Sequence, residues 1–167
     1  MVWRGSSSVQ DRIYACLTYL VPILEVLGLG SFLISAIPIF GFLILPLLPI
    51  SAIYHASIGG FAVIQIGAFL GLYLGVVRNE TLSYLLRFYA MQSLLLAIIV
   101  ALFSALLTGI SPTLFLLGGA AALIVGTLCS VIFLGIIAAS IFCIVQAARG
   151  LYAELPFISE AAYSQIR

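Results

Sequence analysis

Lysine is absent from this sequence, and charge of either sign is scarce: six arginines and five acids make up 7% of the 167 residues. A water-soluble domain carries charge at about a quarter of its positions. That shortage excludes a chain whose surface is mostly in water. The net charge of +1 supplies no basic field to gather nucleic acid or acidic ligands, so nucleic acid is not expected as a partner. Histidine occurs once, at His55, with no Cys, Asp or Glu at ligand spacing, so no metal site is expected. The three cysteines, Cys16, Cys129 and Cys143, are odd in number, lack C-x-x-C spacing and lie in apolar runs. They read as small packing residues. There is no H-E-x-x-H, no G-x-S-x-G and no Walker loop. Neither an enzyme nor a cofactor is expected.

What the chain has in plenty is hydrophobic surface, at 65% of residues. A bilayer core about 30 Å thick takes roughly 20 apolar helical residues to cross. Spans are expected at 13–29, 58–77, 88–108 and 116–148, all within one helical membrane domain, 13–148. A polar segment, 1–12, precedes it and a tail, 149–167, follows. A further apolar stretch, 32–54, holds Pro38, Pro46, Pro49 and Gly41. Those residues break or kink helices, so this stretch is read as re-entrant or interfacial. The first apolar run lacks a cleavage site and no serine- and arginine-rich leader precedes it, so neither a signal nor a transit peptide is expected.

Arginine placement decides between four and five crossings, because positive residues stay on the cytoplasmic side. With four spans, Arg4, Arg12, Arg78, Arg87, Arg149 and Arg167 all share one side. A fifth span at 32–54 would strand the last four outside. The expected architecture is therefore all-α with four spans and both termini on the cytosolic or stromal side. Arg78 and Arg87 anchor the polar hairpin between spans two and three, and GISP at 109–112 forms an outer turn.

Inside lipid, helices associate through small residues spaced four apart. Span two offers Gly67, Gly71 and Gly75. Span three offers Ser93, Ala97, Ala101 and Ala105. Span four offers Gly118, Ala122, Gly126 and Ser130, then a displaced stripe of Gly135, Ala139, Cys143 and Ala147. These stripes hold one bundle together or, where one is spare, meet a partner or a second copy. Three polar residues within or at the edge of spans are candidates for function. Glu25 is the one acid in a span, either functional or an interface acid, and Gln65 and Gln92 can bond across helices. Paired repeats of the transporter kind are missing, and four tightly seamed helices leave little lumen.

Three stretches carry a resemblance: D-R-I-Y-A-C-L-T-Y-L at 11–20 with Glu25 following, V-V-R-N at 76–79 with R-F-Y-A-M-Q at 87–92, and L-Y-A-E-L-P-F-I-S-E-A-A-Y-S-Q-I-R at 151–167. In this order they resemble the twenty-kilodalton subunit family of the translocon at the chloroplast inner envelope, with its cyanobacterial and plastid-encoded relatives. The resemblance implies a membrane-embedded import component that forms or organises a path for preproteins. Its partners would be other translocon subunits or copies of itself, the lipid bilayer and chains in transit. The competing readings are a small oligomeric ion or metabolite channel and a structural membrane assembly protein.

Overall fold

The computed structural model describes residues 8–57, 61–116 and 118–166, and among them every regular element is helical. Helix α1 (Val9–Thr18) opens on a reciprocal cap. The Ser8 hydroxyl accepts from the Asp11 N–H at 3.1 Å, and the Asp11 carboxylate accepts from the Ser8 N–H at 3.0 Å. α1 breaks at Tyr19 and resumes as α2 (Leu20–Val26). Pro22 lacks the N–H that would bond the Thr18 carbonyl, which accounts for the break. A 3₁₀ turn, Leu27–Gly30, leads into α3 (Ser31–Ala36).

Ile37 is extended, with φ −132° and ψ 91°, as the residue before a proline prefers. Pro38 then opens α4 (Pro38–Ile44). A 3₁₀ turn (Leu45–Leu47) and α5 (Leu48–Tyr54) follow, each with proline in its first turn. Three prolines thus cut the expected apolar stretch into short pieces, none longer than two turns. The first residues of that stretch, up to Ala36, extend the preceding span instead of belonging to the broken segment.

α6 (Val63–Leu72) passes into a π turn, Tyr73–Val77, closed by the Arg78 N–H on the Tyr73 carbonyl at 3.0 Å. α7 (Tyr84–Leu116) and α8 (Gly119–Ala148) are the two longest elements, and α9 (Ile158–Gln165) closes the chain. The expected turn at 109–112 is not there: α7 runs straight through it. The reversal involves Gly118, whose φ of +73° is one that a side chain resists.

Three helical stretches are long and apolar enough to cross a membrane: Val9–Ala36, Tyr84–Ile110 and Gly119–Ala148. The apolar stretch expected to span at 58–77 is helical only over Val63–Val77, which is shorter. Residues 58–60 of it lie outside the described residues.

The start of α1, the end of the π turn, the start of α7 and the end of α8 meet at one end of the bundle. Arg12 lies against Gly150, Arg87 donates from Nε to the Val77 carbonyl at 2.9 Å, and Tyr89 donates to the Leu151 carbonyl at 2.6 Å. Arg12, Arg78, Arg87 and Arg149 therefore cluster at that end. Arg4 and Arg167 lie outside the described residues. The core runs between α1, α2, α7 and α8, around Tyr19, Phe88, Tyr89 and Leu94.

Glycine sets two close approaches between the first span and α8. The Phe133 ring would lie 2.8 Å from a Cβ placed on Gly30, and the Phe32 ring 2.5 Å from one on Gly126. Each helix thus inserts an aromatic ring over a glycine of the other. The Gly67, Gly71 and Gly75 stripe behaves differently: a Cβ on any of them meets nothing within 4 Å, so among the described residues it seats no other helix.

Candidate functional site

Two polar clusters interrupt the apolar bundle. The first lies at the arginine-bearing end and centres on Gln92, which is wholly buried on α7. Its Oε1 accepts from the Tyr19 hydroxyl at 2.8 Å. Its Nε2 donates to the Ala153 carbonyl and to Ser159 Oγ, both at 3.1 Å. Ser159 Oγ donates to the Ala153 carbonyl at 3.2 Å and accepts from the Leu155 N–H at 2.7 Å. Beside it the Tyr89 hydroxyl accepts from the Ala153 N–H at 3.0 Å while donating to Leu151.

Apart from the bond between the Tyr19 hydroxyl and Gln92 Oε1, these hydrogen bonds all engage the segment after α8. Within the expected tail, 149–167, the segment after α8 is a docked element, its α9 laid on α7 with Tyr163 stacked on Phe88 at 4.6 Å between ring centroids. Gln92 does bond across helices, and what it holds is the chain's own C-terminal segment. Cys143 and Ala147, half of the displaced stripe on α8, are buried in the same region, with the Cys143 thiol 4.0 Å from Gln92 Oε1. That stripe is therefore not wholly spare. Its remaining members are Ala139, half-buried, and Gly135, exposed with open space around it.

The second cluster lies between α2 and α6. Glu25 accepts from Gln65 Nε2, at 3.2 Å on Oε2 and 3.4 Å on Oε1. Tyr54, at the end of α5, presents its phenol to the same carboxylate. The three residues border a cavity of about 310 Å³ otherwise walled by apolar side chains, among them Phe69, Ala97 and Ala101. Two of the three residues singled out as polar candidates are thus brought together, and the third, Gln92, is not with them. Ala97 and Ala101 face this cavity instead of closing a helix seam. Tyr54 carries no motif in the sequence, although a phenol in an apolar run usually has a polar partner once buried.

The cavity offers a carboxylate, an amide and a phenol, hydrogen-bonding groups without a nucleophile and base pair. Among the described residues no three His, Cys, Asp or Glu side chains gather as a metal site would require. His55 bonds the Ser51 carbonyl one turn back at 3.0 Å, a local contact. Arg78 and Arg87 border a separate polar cleft of about 600 Å³ with Glu80, Ser164 and Gln165, at the arginine-bearing end.

Comparison with known proteins supplies what this geometry alone does not. A family model described as "Chloroplast import apparatus Tic20-like" matches residues 8–162, which takes in all of α1 to α8 and the start of α9. A "Tic20 family protein" of Synechocystis sp. is 34% identical over 167 residues, covering 100% of this chain and 99% of the relative. "Tic20 family protein Ycf60" of Porphyra purpurea is 32% identical over 173 residues, 98% of this chain and 79% of the relative. "Protein TIC 20-v, chloroplastic" of Arabidopsis thaliana is 31% identical over 166 residues, 98% of this chain and 75% of the relative. With its three long apolar helices, the chain belongs to the Tic20 family, as an integral membrane protein of a cyanobacterial membrane or the plastid inner envelope.

Proposed function

We propose that this protein is a non-enzymatic subunit of a protein-translocation assembly. In this reading it crosses the membrane four times, α6 making the short second pass. Both termini lie with the arginines on the cytosolic or stromal side, as the cluster of Arg12, Arg78, Arg87 and Arg149 supports. Segment 38–54 then belongs to the opposite side, where α5 contacts α2 and α6.

The observation that carries the proposal is the Glu25–Gln65 pair. A carboxylate in a membrane span is costly to keep, and here it is joined to an amide on another helix at 3.2 Å beside an apolar cavity. Such a group can exchange hydrogen bonds with an extended polypeptide without fixing one sequence. Other translocon subunits or further copies would complete the path, since a cavity of about 310 Å³ is too small for a passing chain.

Precursor entry into sealed native vesicles tests this reading. Gln65→Leu is expected to leave the protein in the membrane and to slow entry about tenfold. Undiminished entry with Glu25→Gln and Gln65→Leu combined would contradict a transport role and favour a scaffold.

A further inference from the structure

The helices of this protein differ in length by a factor that lipid cannot ignore. Val9–Ala36, Tyr84–Ile110 and Gly119–Ala148 have 28, 27 and 30 residues, about 40–45 Å at 1.5 Å per residue. The second pass has much less. Its helix runs only over Val63–Val77, with no charge in it and Arg78 directly after it. Fifteen helical residues cover about 22 Å, against a hydrocarbon core of about 30 Å.

A helix longer than the core tilts, but a short one cannot, because tilting lowers its reach still more. One face of this helix packs on the core through Ala68, Phe69, Leu72 and Val76, but among the described residues nothing covers the other. Ile66, Leu70 and Leu74 are 52%, 46% and 56% exposed, and the space beside Gly67, Gly71 and Gly75 is open. We propose that the bilayer is locally thinned along the α6 face, so that lipid headgroups and water approach the Glu25–Gln65 cavity from the flank of the protein. The partner of this face is lipid itself, deformed by mismatch. Its consequence is a lowered barrier for a polar segment entering beside the cavity. The inference rests on the reading that α6 crosses the membrane.

Spin labels test it in vesicles of dioleoylphosphatidylcholine, using full-length protein with Cys16, Cys129 and Cys143 replaced by alanine. Depth is read from collision with oxygen and with a water-soluble nickel complex at Ile66→Cys, Leu70→Cys and Leu74→Cys, and at Ile99→Cys near the middle of α7. All four positions are exposed, so labels there do not disturb the core. The expected profile is deepest at Leu70, yet only about 11 Å from the headgroups, about 4 Å shallower than Ile99 at about 15 Å. Equal depths at Leu70 and Ile99 would overturn the thinning while leaving the four passes intact. A low oxygen collision rate at Leu70 would also overturn it, by showing that protein covers the face. Uniform depth at all three α6 positions, with Val63→Cys and Arg78→Cys labelled by an impermeant maleimide from the same side, would remove the crossing itself and the thinning with it. None of these readouts depends on whether the protein transports chains.

Discussion

At the residue scale, Gln92 and Glu25 show how differently two polar side chains in apolar helices can be employed. Gln92 has both its amide groups satisfied inside the chain. Leucine there would leave the Tyr19 hydroxyl without its acceptor, at about 1–3 kcal/mol for a buried group left unpaired, and would remove the two bonds from Nε2 to the Ala153 carbonyl and Ser159 Oγ. Gln92→Leu is therefore expected to loosen residues 151–166, seen as faster backbone hydrogen exchange there with exchange in α8 unchanged. The glycines offer a second contrast. Gly30 sits under the ring of Phe133, which is 3% exposed and has nowhere to move. Gly30→Ala is expected to destabilise the folded protein by about 1–3 kcal/mol, the usual penalty of overpacking, read as a lower Tm in detergent. Gly71→Ala, with open space beside it, is expected to leave Tm unchanged or slightly raised.

At the element scale, the long helices were legible because nothing interrupts their apolar runs. Their limits were less so. The S-V-Q-D run at 8–11 is a capping box that starts α1 before the apolar stretch begins, so hydropathy alone places the start too late. Pro112 suggested a turn, yet α7 continues to Leu116, since lipid gives a helix no competing solvent for its backbone groups. The shortness of α6 is invisible in composition: residues 58–62 are as apolar as the helix after them, but the helix begins at Val63. Docking of the tail was also hidden, because Gln92 and its partners Ala153 and Ser159 lie more than sixty residues apart. The small-residue stripes record spacing but not what they face, so Gly126 and Gly71 look alike in sequence and differ in the fold. If α9 is held chiefly by its aromatic contact, Tyr163→Ala should expose the tail to added protease while the bundle stays resistant.

At the scale of the whole molecule, the arginines and the cavity set the two ends of the bundle apart. One end gathers four arginines and the docked tail, and it is closed by a core in which Tyr19, Tyr89 and Gln92 are wholly buried. Towards the other lie the Glu25–Gln65–Tyr54 cavity and the proline-cut segment. This division predicts that single cysteines at Glu80 and Glu154, both exposed, react with an impermeant maleimide from one and the same side of sealed vesicles. Labelling from opposite sides would contradict the four-pass arrangement. The family of the chain was legible from three short stretches spread over its length. The cavity could not be read there, because it exists only where α2, α5 and α6 converge.

The most direct measurement is site-specific photocrosslinking from Gln65 and, in parallel, from Gln92, in native membranes engaged with precursor chains. Gln65 is expected to capture varied precursors, whereas Gln92 is expected to capture only this chain's own residues, Tyr19, Cys143 and the 151–166 segment. Precursors captured from Gln92 but never from Gln65, or from neither, would contradict a path beside the Glu25–Gln65 cavity.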